Sequence, residues 1–458
     1  MRLRKTDLKL MQDIISLKLA SCISEEGCSL DELVMTIREA MDTEGLPGLL
    51  TLILRLIDEH LHVNMALKKP SALAQLQPCC KNQCLHSKGN AKRTIRTSLG
   101  EVTFGLRELR CEHCRKTQIP LRHFLKLEPH QSKTVELEQM VMEVITEQSY
   151  RRTADHFAVI GGLDLPKSTL HLWVQQSDCE EVASQKTQVA QIMADSTGFK
   201  RRPASEQRVT NRGEIKVVLG IDDQGNVIPF GAWTDKDWKG VGKSIQEPGE
   251  GSPLALDLVT DGEPGLVEGL EHLAEGAQRC HWHMPRDLGH AMWQEDAGLI
   301  ERKVEAKKLS SLLAIGVPET AHEVINEEER AKLIERVEAA EEELDELIKS
   351  LKKRGYQMAA TYVSNAKNRL FTYLGTWLEF GIHCPRTNSL IERLMREIGR
   401  RLKKIGFGWS ETGAAKMTRM ILAKLLSREK WDVYWKERKN DHGNAIILFI
   451  GAETVSPR

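Results

Sequence analysis

Residues 254–287, LALDLVTDGEPGLVEGLEHLAEGAQRCHWHMPRD, carry the pattern that decides the fold. The stretch opens with a short apolar run that stops abruptly at Asp261 and Gly262. Such a run is typical of a buried strand that presents one carboxylate at its carboxyl end. An Asp in this position is also a common turn former or helix N-cap, so a catalytic role for Asp261 depends on partners elsewhere in the chain.

A helix and a second strand are predicted after this point. Leucines at helical spacing between Leu266 and Leu273 predict an amphipathic helix. Residues 278–284 are predicted to form the second strand, which would carry Cys280 and His283. The order strand, helix, strand indicates an α/β domain.

The composition is that of a folded soluble chain. At 458 residues the chain is long enough for about three domains, and 41% of its residues are hydrophobic. No apolar run is long enough to span a membrane, and the amino terminus lacks a signal-peptide core, so we expect a cytoplasmic protein. Charge is balanced at 65 basic and 65 acidic residues but unevenly distributed, because residues 86–126 hold ten Lys or Arg against three acids. This segment is a candidate nucleic-acid surface.

A cysteine-rich module follows a predicted helical region at residues 1–70. Residues 78–128 contain two cysteine pairs on either side of a predicted hairpin that turns at residues 98–100. The predicted zinc ligands are Cys80, Cys84, Cys111 and Cys114. Four thiolates in two pairs suit structural tetrahedral zinc and predict a zinc-ribbon-like module. The first pair is irregular, so Cys79 or His86 could replace one ligand, and reduced cysteines in a basic β-module are the alternative.

Residues 133–180 predict a helix-turn-helix. Residues 151–159 form one predicted helix, Gly161 and Gly162 a turn, and residues 167–176 a second helix. In a DNA-binding helix-turn-helix, the second helix lies in the major groove. It would present Lys167, Ser168, Thr169 and His171 to the bases. A plain helical hairpin is the alternative.

From Val189 the pattern changes from helical to β. A strand ending at Asp195 and a hairpin over residues 215–233 precede the strand that ends at Asp261. The order strand, hairpin, helix, strand, helix, strand matches a ribonuclease-H-like α/β fold, in which the first and fourth strands lie side by side. That pairing would bring Asp195 and Asp261 within the distance of a shared metal ion. We therefore expect residues 188–458 to form a ribonuclease-H-like domain.

A helix near the carboxyl end supplies a third candidate carboxylate. Thr387 or Asn388 can cap a helix that holds Glu392, followed by arginines on neighbouring turns. Glu392 flanks the predicted buried stripe of this helix, whereas Glu397 lies between arginines that could neutralise it as a surface pair. Between the second and third carboxylates, a charged helix is predicted over residues 326–354, and its usual interpretation is a solvated face on a helical insertion.

These motifs resemble the Mutator-like insertion-sequence transposases, a branch of the DDE transposases. The family pattern has an Asp ending a first strand, an Asp-Gly pair, a Cys-x-x-His motif, a long helical insertion and a Thr-Asn-x-x-Glu helix followed by arginines. In this sequence the pattern falls on Asp195, Asp261, Cys280, His283 and Glu392, and the resemblance places the insertion at about residues 300–376. The resemblance covers about residues 189–424.

The resemblance implies a DNA transposase that cleaves and rejoins strands at the ends of an insertion sequence. Asp195, Asp261 and Glu392 would hold two Mg²⁺ or Mn²⁺ ions for in-line phosphoryl transfer, with His283 beside them. The partner would be double-stranded DNA at element ends and target, bound by a homodimer or higher oligomer associated with the nucleoid.

Two other functions remain open at this stage. One is a non-catalytic DNA-binding regulator derived from a transposase, and the other is a metal-dependent nuclease without strand transfer. The presence of all three carboxylates favours the enzyme over the regulator. The residues expected to contact DNA are Lys167, Ser168, Thr169, His171, Arg93, Arg96, Arg396 and Arg400.

Overall fold

The computed structural model describes residues 29–66, 79–80, 84–180, 187–202, 212–249, 251–318, 322, 325–405 and 408–440. The chain divides into two units, one of residues 1–177 with 432–458 and the other of residues 178–431. The helices predicted before residue 29 lie outside the described residues. In the ranges just given, no helix is both long enough and apolar enough to cross a membrane.

The first unit begins with helices α1, Leu30–Ala40, and α2, Leu46–Ala66, joined by a π-helical turn. Helix α1 starts at Ser29 because the Ser29 hydroxyl accepts from the Glu32 N–H and the Glu32 carboxylate accepts from the Ser29 N–H. This capping box satisfies two N–H groups that the helix leaves without partners.

A β-hairpin packs against α2. Strands β1, Leu85–Thr97, and β2, Gly100–Cys111, pair antiparallel across a two-residue turn, and β3, Thr117–Gln118, extends the sheet. The turn lies where the sequence predicts it. A short helix, α3, Pro120–Phe124, completes a small core. The buried residues of this core are Leu54, Leu61, Ile95, Val102, Phe104, Leu106 and Leu121.

Three helices follow in the first unit: α4, Val135–Ile145, α5, Tyr150–Gly161, and α6, Lys167–Gln176. Helix α5 ends because Gly162 takes a left-handed conformation, with φ of 61°, which glycine adopts without a steric cost. The predicted glycine turn is confirmed, and α6 has the predicted bounds. Leu170, Trp173 and Val174 bury one side of α6.

The second unit is built on a five-stranded sheet whose strand order is β6-β5-β4-β7-β8. The strands are β4, Val189–Lys200, β5, Arg212–Ile221, β6, Val227–Trp233, β7, Ala255–Thr260, and β8, Ala274–Arg279. Strands β4, β5 and β6 are antiparallel neighbours, whereas β4, β7 and β8 run parallel. The first and fourth strands of this unit are therefore adjacent, as the sequence predicts.

Two strand boundaries differ from the prediction. Strand β4 does not end at Asp195 but continues to Lys200, because β5 still pairs with it after the parallel pairing with β7 has stopped. Strand β8 ends at Arg279, and His283 begins a helix instead of extending the strand. Pro285 lies in the first turn of that helix, where a missing N–H costs nothing.

Helices α7, Trp238–Ile245, and α8, Pro264–Leu270, cover part of the sheet. Helix α7 starts where the Asp237 carboxylate accepts from the Gly240 N–H at 2.8 Å. The two helices and the strands share a buried core, which includes Ile192, Val218, Phe230, Val241, Leu258, Leu266 and Leu270.

A layer of helices follows β8. These are α9, His283–Gln294, α10, Leu299–Leu312, α11, Glu327–Lys353, α12, Gln357–Ala366, and α13, Thr372–Phe380. Helix α11 matches the predicted charged helix and has a capping box between Asn326 and Glu329. The layer has an apolar core of its own, which includes Leu288, Leu309, Leu344, Leu351, Val363 and Trp377.

Three helices end the described chain. They are α14, Ser389–Leu402, α15, Glu411–Leu426, and α16, Arg428–Asn440, whose residues from Asp432 onward belong to the first unit. Helix α14 packs against β4 and α15 against β6. The predicted stripe on α14 is buried, and its residues are Ile391, Leu394, Ile398 and Leu402.

Candidate active site

Asp195 lies on the central strand, β4, just after the last residue of β4 that pairs with β7. Its β4 neighbours stay paired with β5, but the parallel pairing with β7 ends at Met193 and Val259. Side chains alternate along a strand, so Asp195 shares a face with Met193 and Gln191. The Asp195 Oδ1 accepts from the Ser196 N–H at 2.7 Å.

Asp261 follows the end of β7, beside Asp195. Its carboxylate accepts from the Glu263 N–H at 3.0 Å, which holds the turn after the strand. Gly262 has φ of 91°, and an ideal Cβ on it would lie 1.0 Å from the Arg279 Nη1. The Asp-Gly pair of the sequence is therefore explained by two constraints, a left-handed backbone and the close approach of a buried guanidinium.

Glu392 lies in the first turn of α14, and β8 holds the start of this helix. The Cys280 Sγ donates to the Asn388 Oδ1 at 3.0 Å, and the Asn388 N–H points to the same sulfur at 3.4 Å. Both residues are buried. Asn388 takes the N-cap position, but its side chain makes no cap hydrogen bond, because it bonds to Cys280 instead.

Two further hydrogen bonds fix the segment before α14. The His281 N–H donates to the Arg386 carbonyl at 3.0 Å, and the Gln191 amide donates to the Pro385 carbonyl at 3.0 Å. These bonds join the segment to the end of β8 and to β4. As a result Glu392 is positioned on the face of β4 that carries Asp195.

His283 contacts this third carboxylate directly. The His283 Nε2 lies 3.3 Å from the Glu392 Oε1, and the imidazole is 6% exposed. Burial, followed by the charge of Arg286, lowers the pKa of His283 below its ordinary value. This shift favours the neutral imidazole, whose Nε2 contacts the Glu392 carboxylate.

The three carboxylates influence one another electrostatically. Burial, together with the negative charges of Asp261 and Glu392, raises the pKa of Asp195 to about 6. Within the described ranges, the three do not form a group whose ligand oxygens all lie within 4.8 Å of one another. Oxygen donors suit Mg²⁺ or Mn²⁺.

Three site residues were missed by the sequence reasoning. Burial and the charge of Asp261 raise the pKa of Glu263, a fourth acid beside the group. Trp282 is 54% exposed next to His283, and the Arg286 guanidinium lies 4.8 Å from the centre of its ring. A large aromatic residue inside a Cys-x-x-His motif was the available signal for Trp282, whereas nothing local distinguished Arg286.

The residues predicted to contact DNA differ in side-chain exposure and in whether they form ion pairs within the protein. Those with exposed side chains and no ion pair in the structure are Lys167, Ser168, His171 and Arg396, while Thr169 is partly buried. Arg400 pairs with Glu397 at 3.0 Å. Arg96 lies 3.4 Å from the Glu101 carboxylate.

Arg93 is bound within the protein. Its guanidinium donates to the Gln131 carbonyl at 2.7 Å and 3.0 Å and to the Glu128 carbonyl at 3.1 Å. The structure therefore gives Arg93 a role in joining β1 to the segment after α3. The predicted DNA contact of Arg93 stays a prediction beside this structural role.

The cysteine group differs from the predicted zinc ligands by one residue. The thiols that lie within 4.8 Å of one another are Cys79, Cys80, Cys111 and Cys114. Cys79 therefore takes the place predicted for Cys84, which lies with His86 and Glu112 instead. The backbone N–H groups of Cys114 and Cys84 lower the pKa of the Cys111 thiol to about 6, whereas burial raises the pKa of the Cys79 thiol to about 12. The four-cysteine group could hold a metal ion such as zinc.

Comparison with known proteins identifies only distant similarity. No family model matches the sequence, and no curated protein matches it. Among solved structures, the chain is similar to the Drosophila P element transposase strand transfer complex, at 11% sequence identity and a TM-score of 0.25. The alignment covers 67% of this chain and 81% of that chain. This similarity is too low to indicate a shared fold or activity, so the proposals below rest on geometry.

Proposed function

We propose that the protein is a DNA transposase that cleaves and transfers DNA strands at the ends of a mobile element. The observation that carries the proposal is the convergence of Asp195, Asp261 and Glu392 from three separate segments. The negative charges of Asp261 and Glu392 each raise the pKa of Asp195. Acids that repel one another in a partly buried site are a costly arrangement, which bound cations would stabilise.

The topology of the second unit supports a ribonuclease-H-like fold. Three antiparallel strands, β6, β5 and β4, continue into the parallel strands β7 and β8. Asp195 then lies on β4 and Asp261 directly follows the adjacent parallel strand β7. Helix α14 brings Glu392 to the same end of these strands. The helical layer between β8 and α14 fits the long insertion that the sequence predicts.

The chain's own residues have distinct roles in the proposed reaction. Asp195, Asp261 and Glu392 would hold two divalent cations, which when bound activate the attacking oxygen and stabilise the leaving oxygen. His283 orients Glu392 through the contact of its Nε2 with the carboxylate. Cys280 has only a positioning role, because its buried sulfur contacts Asn388 at the start of the helix that carries Glu392.

Several surfaces suit DNA. The exposed side chains of Lys167, Ser168 and His171 lie along α6, whose buried face is fixed by Trp173. Beside the carboxylates, the exposed ring of Trp282 offers a flat face on which a base could stack. We infer that double-stranded DNA is the partner, with a homodimer or higher oligomer joining two element ends and structural zinc in the four-cysteine group.

Charge-removing substitutions test the proposal. Asp195→Asn, Asp261→Asn and Glu392→Gln keep the side-chain shape, so each variant should keep the wild-type fold, and its DNA affinity should change little. Cleavage of labelled element-end DNA in Mg²⁺ should fall by roughly a thousandfold or more, since each variant loses several kcal/mol of charge stabilisation. The measurement is single-turnover cleavage on a denaturing gel.

Glu397→Gln is the matched control, because Glu397 lies on the same helix but pairs with Arg400 at the surface. It should cleave at close to the wild-type rate. Wild-type protein that binds the DNA but never cleaves it would favour the regulator, and cleavage without joining to target DNA would favour the nuclease. Glu392→Gln with wild-type activity would remove Glu392 from the site.

A further inference from the structure

We propose a second zinc site, formed by Cys84, His86 and Glu112, beside the four-cysteine group. The Cys84 Sγ lies 3.2 Å from the His86 Nε2, and the same nitrogen lies 3.1 Å from the Glu112 Oε1. All three ligand atoms lie within 4.8 Å of one another. None of these side chains belongs to the four-cysteine group.

The spacing of the ligand atoms is close to that of a tetrahedral zinc site. Zinc binds sulfur at about 2.3 Å, nitrogen at about 2.0–2.1 Å and carboxylate oxygen at about 2.0–2.2 Å. Tetrahedral angles then place neighbouring ligand atoms about 3.4–3.6 Å apart. The Cys84–His86 and His86–Glu112 pairs need to separate by only a few tenths of an ångström to admit the ion.

The hairpin holds these donors in place without the ion. Cys84 immediately precedes β1 and Glu112 immediately follows β2, and the Glu112 N–H donates to the Cys84 carbonyl at 2.8 Å. His86 pairs with Arg110 across the same two strands. The donors therefore lie together at the open end of the β1–β2 hairpin, opposite its turn, where backbone pairing already holds the two strands, so little backbone ordering is required when the ion binds.

The donor set determines both the metal and its coordination. Thiolate, imidazole and carboxylate together match zinc, which accepts soft and hard ligands, better than Mg²⁺, which prefers oxygen alone. Three protein ligands leave the fourth position open. The side chains of His86 and Glu112 are 57% and 65% exposed, so water or an exchangeable ligand can reach that position.

Zinc content of the full-length protein tests this site. Wild-type protein equilibrated with Zn²⁺ and desalted should contain two equivalents per chain by elemental analysis. The His86→Ala/Glu112→Gln double variant should contain one, and so should Cys84→Ser. Circular dichroism should show unchanged secondary structure, because the four-cysteine group keeps its ion.

Glu108→Gln is the matched control, because Glu108 lies on β2 near Glu112 but pairs with Lys88 at 2.7 Å. It should retain two equivalents. A wild-type content of one equivalent or less would overturn the site, as would two equivalents retained by the double variant. A wild type with one equivalent and a Cys84→Ser variant with none would assign Cys84 to the first group and also overturn the second site.

Discussion

The guanidinium of Arg279 occupies the space that any side chain at residue 262 would need. Arg279 is 8% exposed, and it donates to the Tyr362 hydroxyl at 3.1 Å with its guanidinium over the same ring. Moving the guanidinium into the cavity that it lines with Gly262 and Tyr362 would break both contacts. Gly262 therefore links the position of Asp261 to the contact between β8 and α12.

Gly262→Ala should consequently destabilise the protein by roughly 2–5 kcal/mol, the sum of left-handed backbone strain and overpacking. Gly225→Ala is the control, because Gly225 has a similar φ of 83° and no atom within 4 Å of its Cβ position. Gly225→Ala should reduce the free energy of unfolding by the cost of backbone strain alone, about 1–2 kcal/mol. Urea unfolding of the two variants measures the difference, and equal losses would show that Arg279 moves aside freely.

Asp195 should make stability depend on pH. Its pKa is raised from 3.8 to about 6 in the folded protein, so the protonated carboxyl favours folding. The resulting stability is present below pH 4 and is lost as the pH rises through 6. Asp195→Asn lacks this titration. Without added divalent ions, the variant should gain stability over the wild type by on the order of 2–3 kcal/mol between pH 4 and 7.

Chemical unfolding of both proteins across this pH range measures the difference. The comparison is needed because the pKa of buried Asp257 is also raised to about 6, and it titrates in both proteins. Mg²⁺ should stabilise the wild type more at pH 7 than at pH 5. Parallel pH profiles for the two proteins would show that the Asp195 pKa is not raised.

At the scale of elements, strand β1 depends on a segment that follows α3. Besides the Arg93 side chain, the Arg96 backbone exchanges hydrogen bonds with Ser132 and Thr134 at 2.9 Å each. Residues 128–134 therefore lie along β1 and extend the hairpin's contacts. The basic strand is in part a structural element, although its charge suggested DNA binding alone.

Arg93→Ala should destabilise the first unit by roughly 1–3 kcal/mol, because two backbone carbonyls lose charged donors. Lys92→Ala removes an exposed neighbouring charge and should change stability by less than about 0.5 kcal/mol. Thermal unfolding measures the stability of both variants, and salt-dependent DNA binding measures phosphate contacts. Unchanged stability in Arg93→Ala with a reduced salt slope would support the phosphate-contact role over the structural one.

At the scale of the whole molecule, the candidate zinc sites and the candidate Mg²⁺ site lie in different units. The four-cysteine group belongs to the first unit and the three carboxylates to the second. Each ion should stabilise only the unit that binds it, since an ion that binds the folded form shifts that form's unfolding equilibrium. The two units should therefore respond separately to metals.

Scanning calorimetry should show two transitions. Removing zinc with a strong chelator should lower one transition, and adding Mg²⁺ afterwards should raise the other. Asp261→Asn should abolish the Mg²⁺ shift and leave the zinc effect intact, whereas Cys114→Ser should do the reverse. A single transition that responds to both metals would show that the units unfold together.

The sequence by itself determined the elements whose signals are local. The hairpin turn follows from residue alternation, the bounds of α6 and α11 follow from helical spacing and caps, and the buried stripe of α14 follows from its apolar period. The adjacency of β4 and β7 also follows, because element order restricts how a sheet can be connected.

Only the tertiary structure decided which distant groups meet. Cys79 takes the place predicted for Cys84 in the four-cysteine group, and Arg93 donates to the backbone carbonyl of Gln131. The Asn388 side chain accepts from the Cys280 thiol and does not cap its own helix. Each of these outcomes depends on a partner 30 or more residues away, at a distance that no sequence period encodes. The physical reason is that a polar side chain takes the partner that folding brings within hydrogen-bond reach, and burial then makes that choice costly to reverse.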